Sequence, residues 1–543
     1  MSEEKSSERC VLTLPMNLQL WQIHRMDTVF DECKYLYNRL IAKANNIIRN
    51  MQRTKAWKDN QAKWEAWYKD TEKFDFSAPQ SQWTTEAKEA EKQRKVLSAE
   101  RKSLLTKYHL SKAYFEDLAK NLRKLHADII PAVVAQVLAD RVWETCSTVI
   151  YGNGEQLRYA DDTHFLSIES KTNTTAIVYK DGMVFYNKKV LADKSINKYH
   201  LELPVQMPSD EDTSSSVYER AMLRHNVCRC RIIRRPTKYG WHYMIQLILE
   251  GNPEPKVNPT TGELLYPIGA GKVGIDPGMQ TMAFCGDNDL LLSELAPSVD
   301  EKTKALRRIN RQMDRSRKET NPQMFDEDGE VIHKDKLSPE LLNRYGKRKW
   351  KESNTYKKAK LKLRYFYSQQ KIARQEQHNH LANKALAFGD TFYAEKMSYK
   401  GLAKRAKEDK VTETGKHRSK KRFGHTIVQK APAAFIDTMR KKVTAQSGAF
   451  SEINTYTAKA TQYNPIEDTC SKKSLSQRWD YVGDSKYQRD LFSAFKIQHI
   501  HDDLQTIDRD ACIRDFPNFV ELHEQEIIRL MNSPEHKPSS MGV

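Results

Sequence analysis

The feature that most narrows what this chain can fold into is a pattern of acids set against short apolar segments. Lys272-Val273-Gly274-Ile275-Asp276-Pro277-Gly278 is an apolar run that delivers a carboxylate and then turns, and Met282-Ala283-Phe284-Cys285 runs back beside it. Pro supplies a fixed φ and Gly tolerates φ > 0, so Asp-Pro-Gly is also an ordinary turn sequence. Taken alone, the segment reads either way. Two more carboxylates arrive downstream in matching settings. Thr391-Phe392-Tyr393-Ala394-Glu395 is an aromatic-rich strand ending in an acid, followed by Lys396-Met397-Ser398-Tyr399-Lys400-Gly401-Leu402. Gln488-Arg489-Asp490-Leu491-Phe492-Ser493-Ala494-Phe495 puts an acid at the start of an apolar-periodic helix. Long intervals separate the three acids, so only folding can bring them together.

Strand-acid, strand-acid, acid-helix, in that order, resembles the RuvC-type nuclease of the transposon-encoded TnpB family and its relatives, the compact type V CRISPR effectors. The resemblance runs from about residue 10 to about residue 500 and is strongest in the second half. It implies a multidomain α+β fold: an RNase H-like RuvC α/β nuclease domain, a β-barrel wedge domain and a helical recognition lobe. The implied partition is 1–20 for a first wedge strand, 21–150 for the recognition lobe and 151–268 for the wedge barrel. Residues 269–500 would form the nuclease domain, with a basic helical insertion at 300–388 and a ribbon region at 455–488. Residues 501–543 would be a C-terminal tail.

Composition fits such a partition. At 543 residues the chain exceeds one hydrophobic core, so about three domains are expected. Its 90 Lys and Arg against 71 Asp and Glu give a net charge of +19. A chain this basic gains by binding polyanions, because condensed counterions are released from nucleic acid. The eight cysteines are scattered without a C-x-x-C pair, which reads as reduced thiols of an intracellular protein. No apolar run reaches membrane-spanning length and no apolar signal core follows Met1, so a soluble intracellular protein with no membrane partner is expected, and the resemblance implies a prokaryotic cytosol.

Along the chain, Arg9-Cys10-Val11-Leu12-Thr13-Leu14-Pro15 reads as a strand that the family's barrel would leave and later rejoin. From about 22 to 52 Val29, Phe30, Cys33, Leu36, Tyr37 and Leu40 recur at helical spacing, and a further helix begins near Pro131. Trp57, Trp64 and Trp67 share one helix face, where packing against a neighbour helix outweighs base stacking. After about 150 strands dominate, with Asp181-Gly182 as a hairpin turn and 227–235 and 241–250 as a second hairpin. The stretch 209–216 reads as a polar loop, and 251–267 as a linker.

The 300–388 insertion is heavily basic. Arg307, Arg311, Arg315 and Lys318 form a stripe along one helix, and Lys347, Arg348 and Lys349 add a second cluster. Acidic partners are few here, so phosphate contact is at least as good a reading as a solvated face. Residues 404–422 read either as a basic lid or as an unstructured insertion.

The resemblance assigns Asp276, Glu395 and Asp490 as catalytic and metal-binding residues. Phosphodiester hydrolysis needs an activated water and charge stabilisation at the leaving oxygen, which two Mg²⁺ ions about 4 Å apart supply. Hard cations take oxygen ligands, so carboxylates suit them, and Mn²⁺ should substitute. Asp276 would bridge the ions, with Glu395 and Asp490 completing the shells; Arg489 would contact phosphate or orient Asp490. The family's zinc ribbon is where the chain departs: 460–479 offers Cys470 alone, so no structural zinc is expected. The implied activity is an RNA-guided DNA endonuclease that holds a structured guide RNA, reads a short target-adjacent motif and cuts double-stranded DNA at one RuvC site. The alternatives are a nuclease-inactive RNA-guided DNA-binding protein and a guide-independent RuvC-like nuclease.

Overall fold

The computed structural model describes residues 9–71, 74, 76, 81, 83–152, 154, 157–187, 197–301, 303–342, 348–404, 423–474, 477–534 and 537–542. The chain divides into two compact units, residues 1–255 and 256–543.

The first unit opens with β1 (Arg9–Pro15) and five helices: α1 (Leu20–Gln52), α2 (Lys55–Thr71), α3 (Thr85–Lys107), α4 (Lys112–Arg123) and α5 (Ala132–Ile150). Then follow β2 (Ser167–Glu169), β3 (Ile177–Lys180), β4 (Met183–Tyr186), β5 (Leu201–Pro204), α6 (Ser214–Met222), β6 (Val227–Pro236) and β7 (Trp241–Glu250). β1 pairs along its full length with β7, from Arg9↔Glu250 to Pro15↔Met244, in a sheet ordered β1-β7-β6-β2. The chain therefore leaves this sheet, builds its helices and returns.

β3, β4 and β5 form a second sheet. Its first turn has φ 49° at Asp181 and 75° at Gly182, the doubly left-handed pair that a two-residue hairpin loop requires. A Met16↔Val205 bridge links β1 to the end of β5. On the other side, main-chain pairing between β3 and β2 is missing among the described residues. There the Asn173 amide exchanges two side-chain bonds with the backbone of Tyr179 (2.8 and 3.2 Å). The expected closed barrel is thus two sheets joined at one seam by backbone and at the other by side chains.

Helices and sheets share one core, with Phe30, Val134, Ile168 and Tyr243 fully buried in it. The segments 21–150 and 151–255 are one packed body rather than separate ones. The three tryptophans pack, as their spacing suggests: Trp67 Nε1 donates to the Ala90 carbonyl (2.8 Å), and the Arg101 guanidinium lies over Trp57 and Trp64. The expected loop holds for 209–213, whereas 214–216 already form the first turn of α6. Thr213 caps α6, accepting from the Ser216 amide while the Ser216 hydroxyl serves the Thr213 amide in return.

The second unit begins with β8 (Lys272–Pro277), β9 (Thr281–Cys285), β10 (Leu290–Glu294), α7 (Ser298–Glu301), α8 (Thr303–Thr320) and α9 (Asn354–Leu386). It continues through β11 (Thr391–Glu395), α10 (Tyr399–Ala403), α11 (Gly424–Lys430), α12 (Pro432–Ala445), β12 (Ala449–Ile453) and α13 (Thr455–Ala458). Two small hairpins follow, β13 (Tyr463–Asn464) with β14 (Thr469–Cys470) and β15 (Trp479–Val482) with β16 (Ser485–Gln488), then α14 (Arg489–Gln498) and α15 (Arg509–Asn532).

The central sheet has the order β10-β9-β8-β11-β12. β8, β9 and β10 are an antiparallel meander; β11 lies parallel to β8, and β12 parallel to β11. β8 and β9 are apolar runs buried almost throughout, as strands covered on both faces must be. The α9, α12 side buries Phe284, Leu386, Phe392 and Phe435, and the α14, α15 side buries Cys285, Leu292, Phe495 and Phe519. α15 is integral to this unit rather than a tail: Glu526 accepts the Leu292 amide of β10 (2.7 Å).

Candidate functional site

Asp276 is the last residue but one of β8, and Glu395 ends β11. The parallel register pairs Ala394 with Ile275, so the next step along both strands brings Glu395 beside Asp276 at the carboxyl ends of the two strands. Asp490 is the second residue of α14, whose N-cap Gln488 accepts the Leu491 amide through its side chain (2.8 Å). α14 crosses β8 closely enough that the Ala494 carbonyl lies over Gly274. Sheet and helix therefore deliver the three acids to one end of the sheet.

The electrostatics register that convergence. Asp276 is held well above the usual carboxylate range, first by burial and then by the charges of Glu395 and Asp490; the Ser493 hydroxyl and Arg489 oppose the shift. Burial pushes Glu395 up to about 7 against the pull of the Lys496 cation. Arg489 donates through Nε (3.1 Å) and Nη2 (3.0 Å) to Oδ1 of Asp490, and through Nη1 to the Gln477 carbonyl (2.9 Å). Its guanidinium is therefore engaged in orienting the acid, leaving Oδ2 as the oxygen a ligand can take.

All three side chains offer carboxylate oxygen, the donor that Mg²⁺ prefers, and a cation would relieve the repulsion that raises Asp276. Among the described residues no group of three or more His, Cys, Asp or Glu side chains forms a ready-made metal cage. The acids are neighbours without being a closed shell.

Sequence reasoning passed over Lys496, whose only signal is a single cation inside Leu491-Phe492-Ser493-Ala494-Phe495-Lys496-Ile497. It is fully buried, donates to the Tyr463 carbonyl (2.9 Å) and lies 4.0 Å from Asp480. Asp480 is itself buried and 2.6 Å from Lys473. Burial pulls Lys496 down to about 7, opposed by Asp480 and Asp276. This cage of charge joins α14 to the 455–488 region, in which Cys470 is exposed.

The basic residues divide by what their side chains meet. Ile309 and Met313 of α8 pack on Tyr356 and Ala359 of α9, which turns Arg307, Arg311, Arg315 and Lys318 to solvent. Arg348 instead donates to the Ile332 carbonyl, and Lys349 to the Glu340 carbonyl (3.1 Å), so both close the loop that joins the helices. Lys347 lies outside the described residues, as does 405–422 of the basic segment. No helix among the described residues is long and apolar enough to cross a membrane.

No protein-family model matches the chain, and no curated protein matches it. Among solved structures, a Cas12f1–sgRNA–target DNA complex is similar at 9% identity and TM-score 0.42, over 91% of this chain and 99% of that one. A CRISPR–Cas12f ternary complex matches at 10% identity and TM-score 0.24, over 89% and 85%. A Cas12i1 R-loop complex captured before target DNA cleavage matches at 11% and 0.23, over 93% and 65%. Likenesses of this size carry none of the functional argument.

Proposed function

We propose that this protein is an RNA-guided DNA endonuclease of the RuvC type, whose partners are a structured guide RNA and target double-stranded DNA. The observation that carries the nuclease part is the meeting of Asp276, Glu395 and Asp490 from β8, β11 and α14 at one end of a mixed sheet. Acids at the carboxyl ends of two neighbouring parallel strands, with a third on the helix laid across them, support an RNase H-like domain. The guide RNA, the reading of a target-adjacent motif and the kinship with TnpB-like proteins rest on the sequence motifs. The solvent-facing arginines of α8 supply a surface for a phosphate backbone.

Asp276, Glu395 and Asp490 would hold two Mg²⁺ ions, with Mn²⁺ as a substitute and no structural zinc. When bound, such ions supply activation of the attacking water and charge neutralisation at the leaving 3′ oxygen. The protein's own part is to fix the acids. Burial and mutual repulsion keep Asp276 poised for a cation, Arg489 holds Oδ1 of Asp490, and Lys496 favours the ionised form of Glu395.

The test begins with sequencing the RNA that copurifies from cells carrying the native locus; one discrete RNA with a constant scaffold and a variable end is expected. With that RNA and Mg²⁺, wild-type protein should cut a matching DNA, and Asp276→Ala should abolish cutting while retaining RNA binding. Unchanged cutting by the variant would remove this active site.

A further inference from the structure

Tyr399 opens the short helix α10, four residues beyond Glu395. Its hydroxyl is sealed from solvent and has no hydrogen-bond partner among the described residues. A buried hydroxyl left unpaired costs about 1–3 kcal/mol, so an orphan of this kind asks for an explanation. The charges that act on it belong to Asp276, Glu395 and Glu452. A phenol keeps its proton at neutral pH, so it meets a ligand as an O–H donor.

A donor calls for an acceptor, and a divalent cation is not one. The acceptor that belongs among the acids, once their charge is balanced, is an oxygen of the substrate's phosphate. The charged donors bordering the acids are engaged elsewhere: Arg489 on Asp490 and the Gln477 carbonyl, Lys496 on the Tyr463 carbonyl. We propose that the Tyr399 hydroxyl is a catalytic residue that donates a hydrogen bond to a non-bridging oxygen of the phosphodiester being cut. The inference rests on the nuclease reading above and assigns that reaction a neutral donor.

Two measurements on the full chain with its copurified RNA test it. Tyr399→Phe should slow single-turnover cutting in Mg²⁺ by about 10²- to 10³-fold, the loss expected for one transition-state donor, without lowering the melting temperature. Separately, 3-fluorotyrosine at position 399 should change its ¹⁹F resonance when target DNA is added in Ca²⁺, which permits binding without cleavage. Cutting by Tyr399→Phe within about twofold of wild type, beside an active wild type, overturns the proposal and leaves the nuclease reading standing. An unmoved ¹⁹F resonance overturns it whatever the activity. A wild type that never cuts, with a resonance that still moves on DNA, refutes the nuclease reading and keeps the phosphate contact.

Discussion

Gly274→Ala is the smallest change that should disarm the proposed site without touching an acid. A Cβ at position 274 would lie 2.0 Å from the Ala494 carbonyl oxygen and 2.4 Å from the Gln498 nitrogen, both backbone atoms of α14. To restore even 3.0 Å, below which real Cβ atoms are essentially never found, the helix must retreat by about 1 Å. Overpacking of this kind costs about 1–3 kcal/mol. Asp276 stands two residues further along the strand and Asp490 rides on the helix, so the retreat separates them directly. A catalytic group displaced by about 1 Å loses on the order of 10²-fold in rate. Thermal unfolding should fall by several degrees and cleavage in Mg²⁺ by about two orders of magnitude. Gly240→Ala, where nothing lies within 4 Å of the added carbon, should change neither. Wild-type melting and full cutting by Gly274→Ala would mean that helix and strand are not seated this closely.

Asp480→Asn removes the charge that faces buried Lys496 and should destabilise the protein by about 3–5 kcal/mol; a wild-type melting temperature would count against the buried charge cage. Acid should also destabilise the second unit. Burial holds His378 and His523 near 4, below their ordinary value of about 6.5, so the unfolded chain binds the extra proton more readily. Their contribution is complete above pH 6.5 and is lost as pH falls toward 4, at about 2–3 kcal/mol each. His523→Gln should flatten part of that slope in urea titrations at pH 4.5 and 7. Combined replacement of Arg307, Arg311 and Arg315 by Ala should lower the slope of log K against log salt for nucleic-acid binding by about 2–3; an unchanged slope would return the stripe to solvent.

What was legible in the sequence follows from which signals are local. Asp276 and Glu395 stand out because buried strands are continuous apolar runs, and an acid at the end interrupts the run. The α8 stripe is legible because one helix carries both faces, Ile309 and Met313 inward and Arg311 and Arg315 outward. Arg348 and Lys349 look the same as those arginines by residue type, yet carbonyls supplied by a loop claim them. The role of Lys496 depends on Tyr463 and Asp480 arriving from two separate hairpins, and periodicity within α14 holds no trace of them. Thr213 and Ser216 carried a capping signal, but the acidic and serine-rich run around them reads as a loop when composition is weighed first. The C-terminal helix reads as a separate tail in the sequence because its amphipathic pattern names no partner; β10 of the second unit supplies one.

The pairing of β1 with β7 also sets the order in which the protein can be made. Once Arg9 has been made, Glu250, its partner across the sheet, is added only after more than two hundred further residues. At about 5–20 residues per second that is a wait of roughly 10–50 s, during which Val11, Leu12 and Leu14 have no sheet to join. The helices that intervene close on local contacts and can form meanwhile, while the long loop must be closed before the first strand is rewarded. A chain arrested before residue 241 would therefore display an unpaired apolar strand, the kind of segment that chaperones hold and that aggregates when they do not.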